Sequence, residues 1–250
     1  NLFQKIDASF SKAKGLKKLL VENTVILGKK KLFKENFSFI EKFTDFVCEN
    51  LVRKKIKKQF GGRLKAFVSG GGALDKEVGS FLNAIGLPTL QGYGLTETSP
   101  VVSCNPLDKI KVDTVGPIFP GVTVKLSEDG EILVKGENLM LGYWNNLEAT
   151  DQTIKNGWLH TGDIGEFDTD GYLKITDRKK DIIVSLGGDN IAPSKLENLL
   201  TLSPDIEQAC VFGEQKNFIA ALIILANDSK SNKDDIQNYI NRINKDLTQP

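Results

Sequence analysis

The run Gln91-Gly92-Tyr93-Gly94-Leu95-Thr96-Glu97-Thr98-Ser99-Pro100 concentrates the groups best able to do chemistry in this chain. Tyr93 offers a flat face to a purine, and the threonine hydroxyls can donate to phosphate oxygens. Glu97 is the single charge in the run and suits a Mg²⁺ ion held beside phosphate. Gly92 and Gly94 let backbone approach a ligand closely. The same composition also fits a Gly-rich hairpin carrying a solvated glutamate. Residues 88–91 read as a strand end, and residues 92–98 as an exposed turn.

Two further segments narrow the choice. Gly157-Trp158-Leu159-His160-Thr161-Gly162-Asp163-Ile164-Gly165 is followed by Gly171-Tyr172-Leu173-Lys174-Ile175-Thr176-Asp177-Arg178-Lys179-Lys180-Asp181. A carboxylate at Asp163, between a glycine and a strand, can accept two hydrogen bonds from vicinal ribose hydroxyls. Arg178 presents a fixed fork of donors to ribose or phosphate oxygens. Each has an ordinary alternative, a turn carboxylate and a structural ion pair.

Taken together, these motifs resemble those of the adenylate-forming superfamily of acyl-CoA synthetases, luciferases and peptide-synthetase adenylation domains. The resemblance runs from about residue 60 to about residue 225. Val68-Ser69-Gly70-Gly71-Gly72-Ala73-Leu74 and Gly187-Gly188-Asp189-Asn190-Ile191-Ala192-Pro193 look most like long-chain fatty acyl-CoA synthetases.

The resemblance implies ATP, Mg²⁺ and CoA as cofactor and co-substrates, with a fatty acid as the acyl donor. Tyr93 would stack on adenine in a pocket shared with Gln91, Gly92 and Gly94. Gly70, Gly71 and Gly72 would border the base and the acyl group. Thr96 would bind the α-phosphate and Glu97 the metal. Asp163 would hold the ribose, and Arg178 ribose or phosphate oxygens. Lys180 would be a hinge residue, and Gly187 and Gly188 would lie on the CoA side, with CoA contact at Asp189 left open. His160, the only histidine, reads as structural, because a carboxylate that is already ionised needs no general base. Adenylation of another acid, transfer to a carrier protein, or a non-catalytic nucleotide-binding homologue are the competing readings.

Composition sets the frame. The 250 residues are 40% hydrophobic and 26% charged, ordinary for a globular protein with ample core. No apolar run is long enough to span a bilayer, and the N-terminus lacks a signal-peptide layout. Cys48, Cys104 and Cys210 are widely spaced without metal-ligand pattern, which predicts reduced, buried thiols and a cytoplasmic setting. Residues 1–65 carry 17 Lys/Arg against 6 Asp/Glu, and the remainder 16 against 26. That basic third could meet CoA phosphates or an acidic membrane surface, or simply be solvated helix faces. No nucleic-acid module is visible.

The elements that must position these residues follow from periodicity. Phe39, Phe43, Phe46, Val47 and Leu51 mark one face of a scaffold helix. A buried strand over 64–68, a glycine turn at 70–72, a helix over 75–85 ended by Gly86 and a strand over 88–91 predict parallel pairing. Ligand then binds at the carboxyl strand ends. Short strands over 122–126, 131–134, 164–167 and 173–175, a helix over 147–154, and Asp-Gly turns at 129–130 and 170–171 suggest a small antiparallel β-barrel. A third part brings a strand over 182–185, a helix from Pro193, strands over 207–212 and 218–226, and a helix over 234–247.

The expected class is therefore α/β with mixed α+β character. By resemblance, residues 1–115 belong to the large α/β domain and 116–176 to its barrel subdomain. Residues 177–180 are the hinge, and 181–250 a truncated, mobile C-terminal α+β domain. Upstream, no Ser/Thr/Gly-rich loop ending in lysine is present to hold the outer phosphates. Downstream, Lys245 sits in a context unlike that of the lysine that promotes adenylation. The 250 residues are expected to be an internal-to-C-terminal fragment, with little or no adenylation activity alone.

Overall fold

A serine three residues before a glutamate starts the main N-terminal helix. Ser38 Oγ accepts from the Glu41 N–H, and Glu41 Oε2 accepts from the Ser38 N–H at 2.8 Å. The computed structural model describes residues 12–188 and 190–247, together with Phe3, Ile6, Ala8 and Phe10. It divides into two compact units, Asn1–Thr161 with Gly165–Ile175, and Gly162–Ile164 with Thr176–Pro250.

In the first unit, α1 (Leu16–Leu32) precedes α2 (Phe39–Cys48), which runs through a π-helical turn (Glu49–Arg53) into α3 (Lys54–Gln59). The inward residues are Cys48, Val52, Arg53 and Ile56. Contrary to the sequence reading, the Phe39, Phe43 and Phe46 face is 89%, 68% and 67% exposed and meets no core among the described residues. Arg53 is buried with every nitrogen engaged: Nε donates to Ala84 O, Nη1 to Asp45 Oδ1 and Nη2 to Thr24 O. This arginine ties three helical segments together.

The predicted β-turn-α-β unit is present. Strand β1 (Phe67–Ser69) pairs in parallel with β2 (Thr89–Gly94), in register Phe67↔Thr89 to Ser69↔Gln91. The crossover helix α4 (Lys76–Ala84) is capped by Asp75 Oδ1, and it buries Phe81 and Leu82, with Ile85 just beyond its end. The first strand starts later than expected and is not buried: Val68 is exposed, on a strand at the sheet edge. Strand β2 also runs on through Gly94, where the sequence predicts a turn. It pairs antiparallel with β3 (Val101–Cys104), which completes the order β1-β2-β3. Gly94 permits that hairpin: a Cβ there would lie 1.7 Å from Pro100 O.

The expected barrel subdomain is a curled half-barrel. Strands β4 (Val122–Leu126) and β5 (Glu131–Gly136) precede helix α5 (Leu147–Thr153). Strands β6 (Ile154–Lys155), β7 (Trp158–Phe167) and β8 (Leu173–Arg178) follow. The order is β4-β5-β7-β6, with β8 also on β7. Val102, Val115, Ile132, Val134, Leu159 and Leu173 form its core.

The second unit holds the short antiparallel pair β9 (Ile183–Val184) and β10 (Asn190–Ile191), then α6 (Pro193–Leu200) with its proline in the first turn. Strands β11 (Ile206–Phe212) and β12 (Ala220–Leu225) pair antiparallel before α7 (Lys233–Leu247). Its core of Ile183, Leu200, Ile206 and Val211 receives Ile236, Tyr239, Ile240 and Ile243 from α7. The apolar run of the second strand, which its composition would place in a core, is exposed at Leu222 and Ile224, because one face of this two-stranded sheet has no covering layer among the described residues. Of the thiols only Cys48 is buried. Cys104 is half-buried and Cys210 lies exposed on β11.

Candidate functional site

The parallel register sets two turns side by side. Ser69 lies opposite Gln91, so Gly70, Gly71 and Gly72 and the segment beyond Gly92 both leave the carboxyl end of the β1–β2 pair. A Cβ on Gly72 would meet nothing within 4 Å, and one on Gly70 only Gly92 O at 3.8 Å. The space above this turn is open. Buried Asn105 pins the neighbouring strand: its N–H and side-chain amide donate to Gln91 O, and the amide also donates to Thr114 O.

From Gly94 the chain turns through Leu95 into one 3₁₀ turn, Thr96–Thr98. Thr96 is exposed, Glu97 half-buried and Thr98 fully buried. The Thr98 hydroxyl accepts from Leu95 N at 2.9 Å and lies 2.7 Å from Pro100 O. It is committed to the turn, so of the two threonines the sequence offers to phosphate, Thr96 alone presents an accessible hydroxyl. Tyr93 is half-buried, packed against the half-barrel core.

Three hydrogen bonds from the segment after β5 hold this turn. Asn138 Nδ2 donates to Thr98 O at 2.9 Å, Met140 N to Glu97 O at 2.8 Å, and Tyr143 Oη to Glu97 Oε1 at 2.8 Å. Burial, reinforced by donation to Glu97, raises the Tyr143 phenol above its usual value. Sequence reasoning missed Thr98's internal role, Asn105, Asn138 and Tyr143. The available signal was the Gly142-Tyr143 pair just before the helix-capping Asn146, which no spacing rule connects to Glu97.

No group of three or more His, Cys, Asp or Glu among the described residues could hold a metal ion. A single half-exposed carboxylate does not bind Mg²⁺ alone, but it fits Mg²⁺ whose other ligands are phosphate oxygens and water. The donor set at Glu97 therefore suits a metal–nucleotide complex.

In the second unit, Asp163 and Arg178 come together. Arg178 Nε donates to Asp163 Oδ1 at 2.9 Å, with the aspartate side chain 5% exposed and the arginine 62%. The guanidinium thus leaves most of its surface to solvent while its carboxylate partner is covered. Nearby, Lys179 N donates to Gly162 O. Lys180 is exposed in the turn closed by Asp181 N donating to Arg178 O. Gly187 and Gly188 occupy an exposed turn between β9 and β10, and Asp189 lies outside the described residues. His160 belongs to the first unit, its Nδ1 3.3 Å from Glu131 Oε2.

Comparison with known proteins assigns the class. Residues 38–144 match the AMP-binding enzyme family, and residues 180–249 match the AMP-binding enzyme C-terminal domain. The chain belongs to the AMP-binding, adenylate-forming enzymes.

Among curated relatives, it is 45% identical over 179 residues to the long-chain-fatty-acid–CoA ligase FadD15 of Mycobacterium bovis, covering 72% of this chain and 30% of that protein. It is 38% identical over 175 residues to the 2-succinylbenzoate–CoA ligase of Bacillus cereus, covering 66% and 36%. Among solved structures, the o-succinylbenzoate CoA synthetase of Bacillus subtilis in complex with its acyl-adenylate intermediate superposes with a TM-score of 0.63 at 27% identity, over 76% of this chain and 43% of that one. The chain thus spans about a third of the length of the curated relatives it matches.

Proposed function

We propose that this chain is the part of an AMP-forming acyl-CoA ligase that binds the nucleotide and begins the thioester-forming unit, with a long-chain fatty acid as substrate. In the first step the carboxylate attacks the ATP α-phosphorus, forming acyl-AMP and releasing pyrophosphate. In the second, the CoA thiol displaces AMP to give the thioester. Both reactants of the first step are negative, so the site must neutralise charge and align the groups.

Each residue has its part. Tyr93 stacks on adenine, beside backbone at Gln91, Gly92 and Gly94. The open space over Gly70, Gly71 and Gly72 takes the base and the acyl group. The accessible Thr96 hydroxyl donates to the α-phosphate. Glu97 holds Mg²⁺, which when bound neutralises phosphate charge. Asp163 holds the ribose, and Arg178 ribose or phosphate oxygens. Residues 1–115 and 116–176 form the large domain, 177–180 with Lys180 the hinge, and 181–250 the C-terminal domain, whose Gly187 and Gly188 face CoA. A long-chain acid partitions into membranes, and the basic residues of 1–65 are where contact with an acidic cytoplasmic surface would fall. No helix among the described residues is long and apolar enough to cross a membrane.

The observation carrying this reading is that the 70–72 turn and the Thr96–Glu97 turn leave the carboxyl ends of adjacent parallel strands. The acid is proposed from the 45% identity to a long-chain ligase, against 38% to a ligase for an aryl acid. The test is Glu97→Gln in the full-length protein. Turnover should fall about 10²-fold or more with KM for the acid little changed, because charge neutralisation counts most as the transfer proceeds. Wild-type turnover would remove Glu97 from the mechanism.

A further inference from the structure

Glu97 has three freely rotating side-chain bonds and sits at the rim of its turn, so nothing in its own backbone fixes where its carboxylate points. Ordering such a side chain costs up to about 2 kcal/mol of rotamer freedom. Something nearby must supply that order if the carboxylate is to meet a metal in one geometry.

The bonds from Asn138 and Met140 do not, since both end on main-chain carbonyls of the turn. Among the described residues, only Tyr143 donates to the carboxylate itself, Oη to Oε1 at 2.8 Å. Oε2 receives no donor from the described residues.

Tyr143 is itself held. Its N–H donates to Thr150 Oγ1 at 2.9 Å on α5, and that hydroxyl donates on to Asn146 O. The chain reaches Thr150 this closely through Gly142, where φ is 152° and a Cβ would lie 3.0 Å from the Thr150 side chain. The phenol therefore comes from the capped start of α5, by way of a glycine, to one oxygen of one carboxylate 46 residues away.

We infer that Tyr143 is a positioning residue for Glu97: it occupies Oε1, fixes the carboxylate and leaves Oε2 directed to the nucleotide-bound metal. This inference rests on the reading of Glu97 as the metal carboxylate. It assigns Tyr143 no contact with substrate. A hydroxyl is required and an aromatic ring alone is not enough, which makes Tyr143→Phe the informative change.

The experiment measures binding of Mn²⁺–ATP, followed by the Mn²⁺ EPR signal, and of metal-free ATP, by calorimetry. It compares the full-length wild type with Tyr143→Phe, Glu97→Gln and the double variant. Tyr143→Phe should weaken Mn²⁺–ATP binding about tenfold, within the rotamer freedom the carboxylate would regain, and leave metal-free ATP binding unchanged. Glu97→Gln should weaken Mn²⁺–ATP binding at least as much, and the double variant no further.

Weakened binding in Glu97→Gln with wild-type binding in Tyr143→Phe would overturn the inference and leave the Glu97 reading standing. Wild-type binding in Glu97→Gln would overturn both. Additive losses in the double variant, or equal losses with and without metal, would mean that Tyr143 acts on the fold and not through Glu97.

Discussion

Thr98→Val separates the turn that carries Glu97 from the residues that would touch a ligand. The Thr98 side chain is wholly buried. Valine matches its shape, so no cavity forms and the loss is confined to the hydroxyl. That hydroxyl accepts from Leu95 N at 2.9 Å and is within donating distance of Pro100 O at 2.7 Å. Removing it orphans one backbone donor, at about 1–3 kcal/mol, and costs the carbonyl a bond of about 1 kcal/mol. A loss of about 2–4 kcal/mol follows, equivalent to roughly 4–16 °C in melting temperature for a unit of this size.

Urea unfolding of the full-length protein, followed by tryptophan fluorescence, reads the loss as a lower midpoint at unchanged slope. Turnover should fall as well, because the 3₁₀ turn no longer fixes Thr96 and Glu97. Thr98→Ser restores the hydroxyl and should lose only the methyl contribution, about 1 kcal/mol. A valine variant with the wild-type midpoint would refute the reasoning, since the turn would then be held without the hydroxyl.

Two further outcomes concern the helical scaffold. Arg53→Met keeps the aliphatic stem but leaves the largely covered Asp45 carboxylate with only Lys31 Nζ at 3.9 Å, and takes a donor from the Ala84 and Thr24 carbonyls. Unfolding free energy should drop by about 3–5 kcal/mol, measured by denaturant titration. Glu41, bonded to Lys30 and to Ser38 in the capping box, has its carboxyl pKa lowered to about 2 from 4.5. A folded-state value below the unfolded one means stability that is present above pH 4.5 and lost as pH falls from 4.5 toward 2. Glu41→Gln should therefore flatten the acid limb of a stability–pH curve measured across that window. An acid limb identical to wild type would show that the pair contributes nothing.

What was legible in the sequence follows a physical line. Helix α4 with Asp75 at its start and Gly86 beyond its end was readable because capping and periodicity are local. So were β4, whose bounds match the reading, and the Pro193 helix start. Strand β3 was not, because Gly92 and Gly94 signal a turn locally while in three dimensions they admit the close approach of Pro100 and Ser103.

The exposed Phe39, Phe43 and Phe46 show a second limit: apolar periodicity marks a face but does not say what covers it. At the site, the residues with ligand chemistry stood in short motifs. Those that hold them, Thr98, Asn105, Asn138 and Tyr143, act across up to 46 residues, through bonds that only the folded chain defines.

The most direct test of the central claim is ATP–pyrophosphate exchange by the full-length protein, across carboxylic acids from acetate to palmitate with benzoate alongside. Exchange that rises with chain length and is strong with palmitate is the predicted result. Exchange with benzoate and none with palmitate would contradict the assigned acid. Silence across the panel from folded protein that binds ATP would contradict adenylation itself.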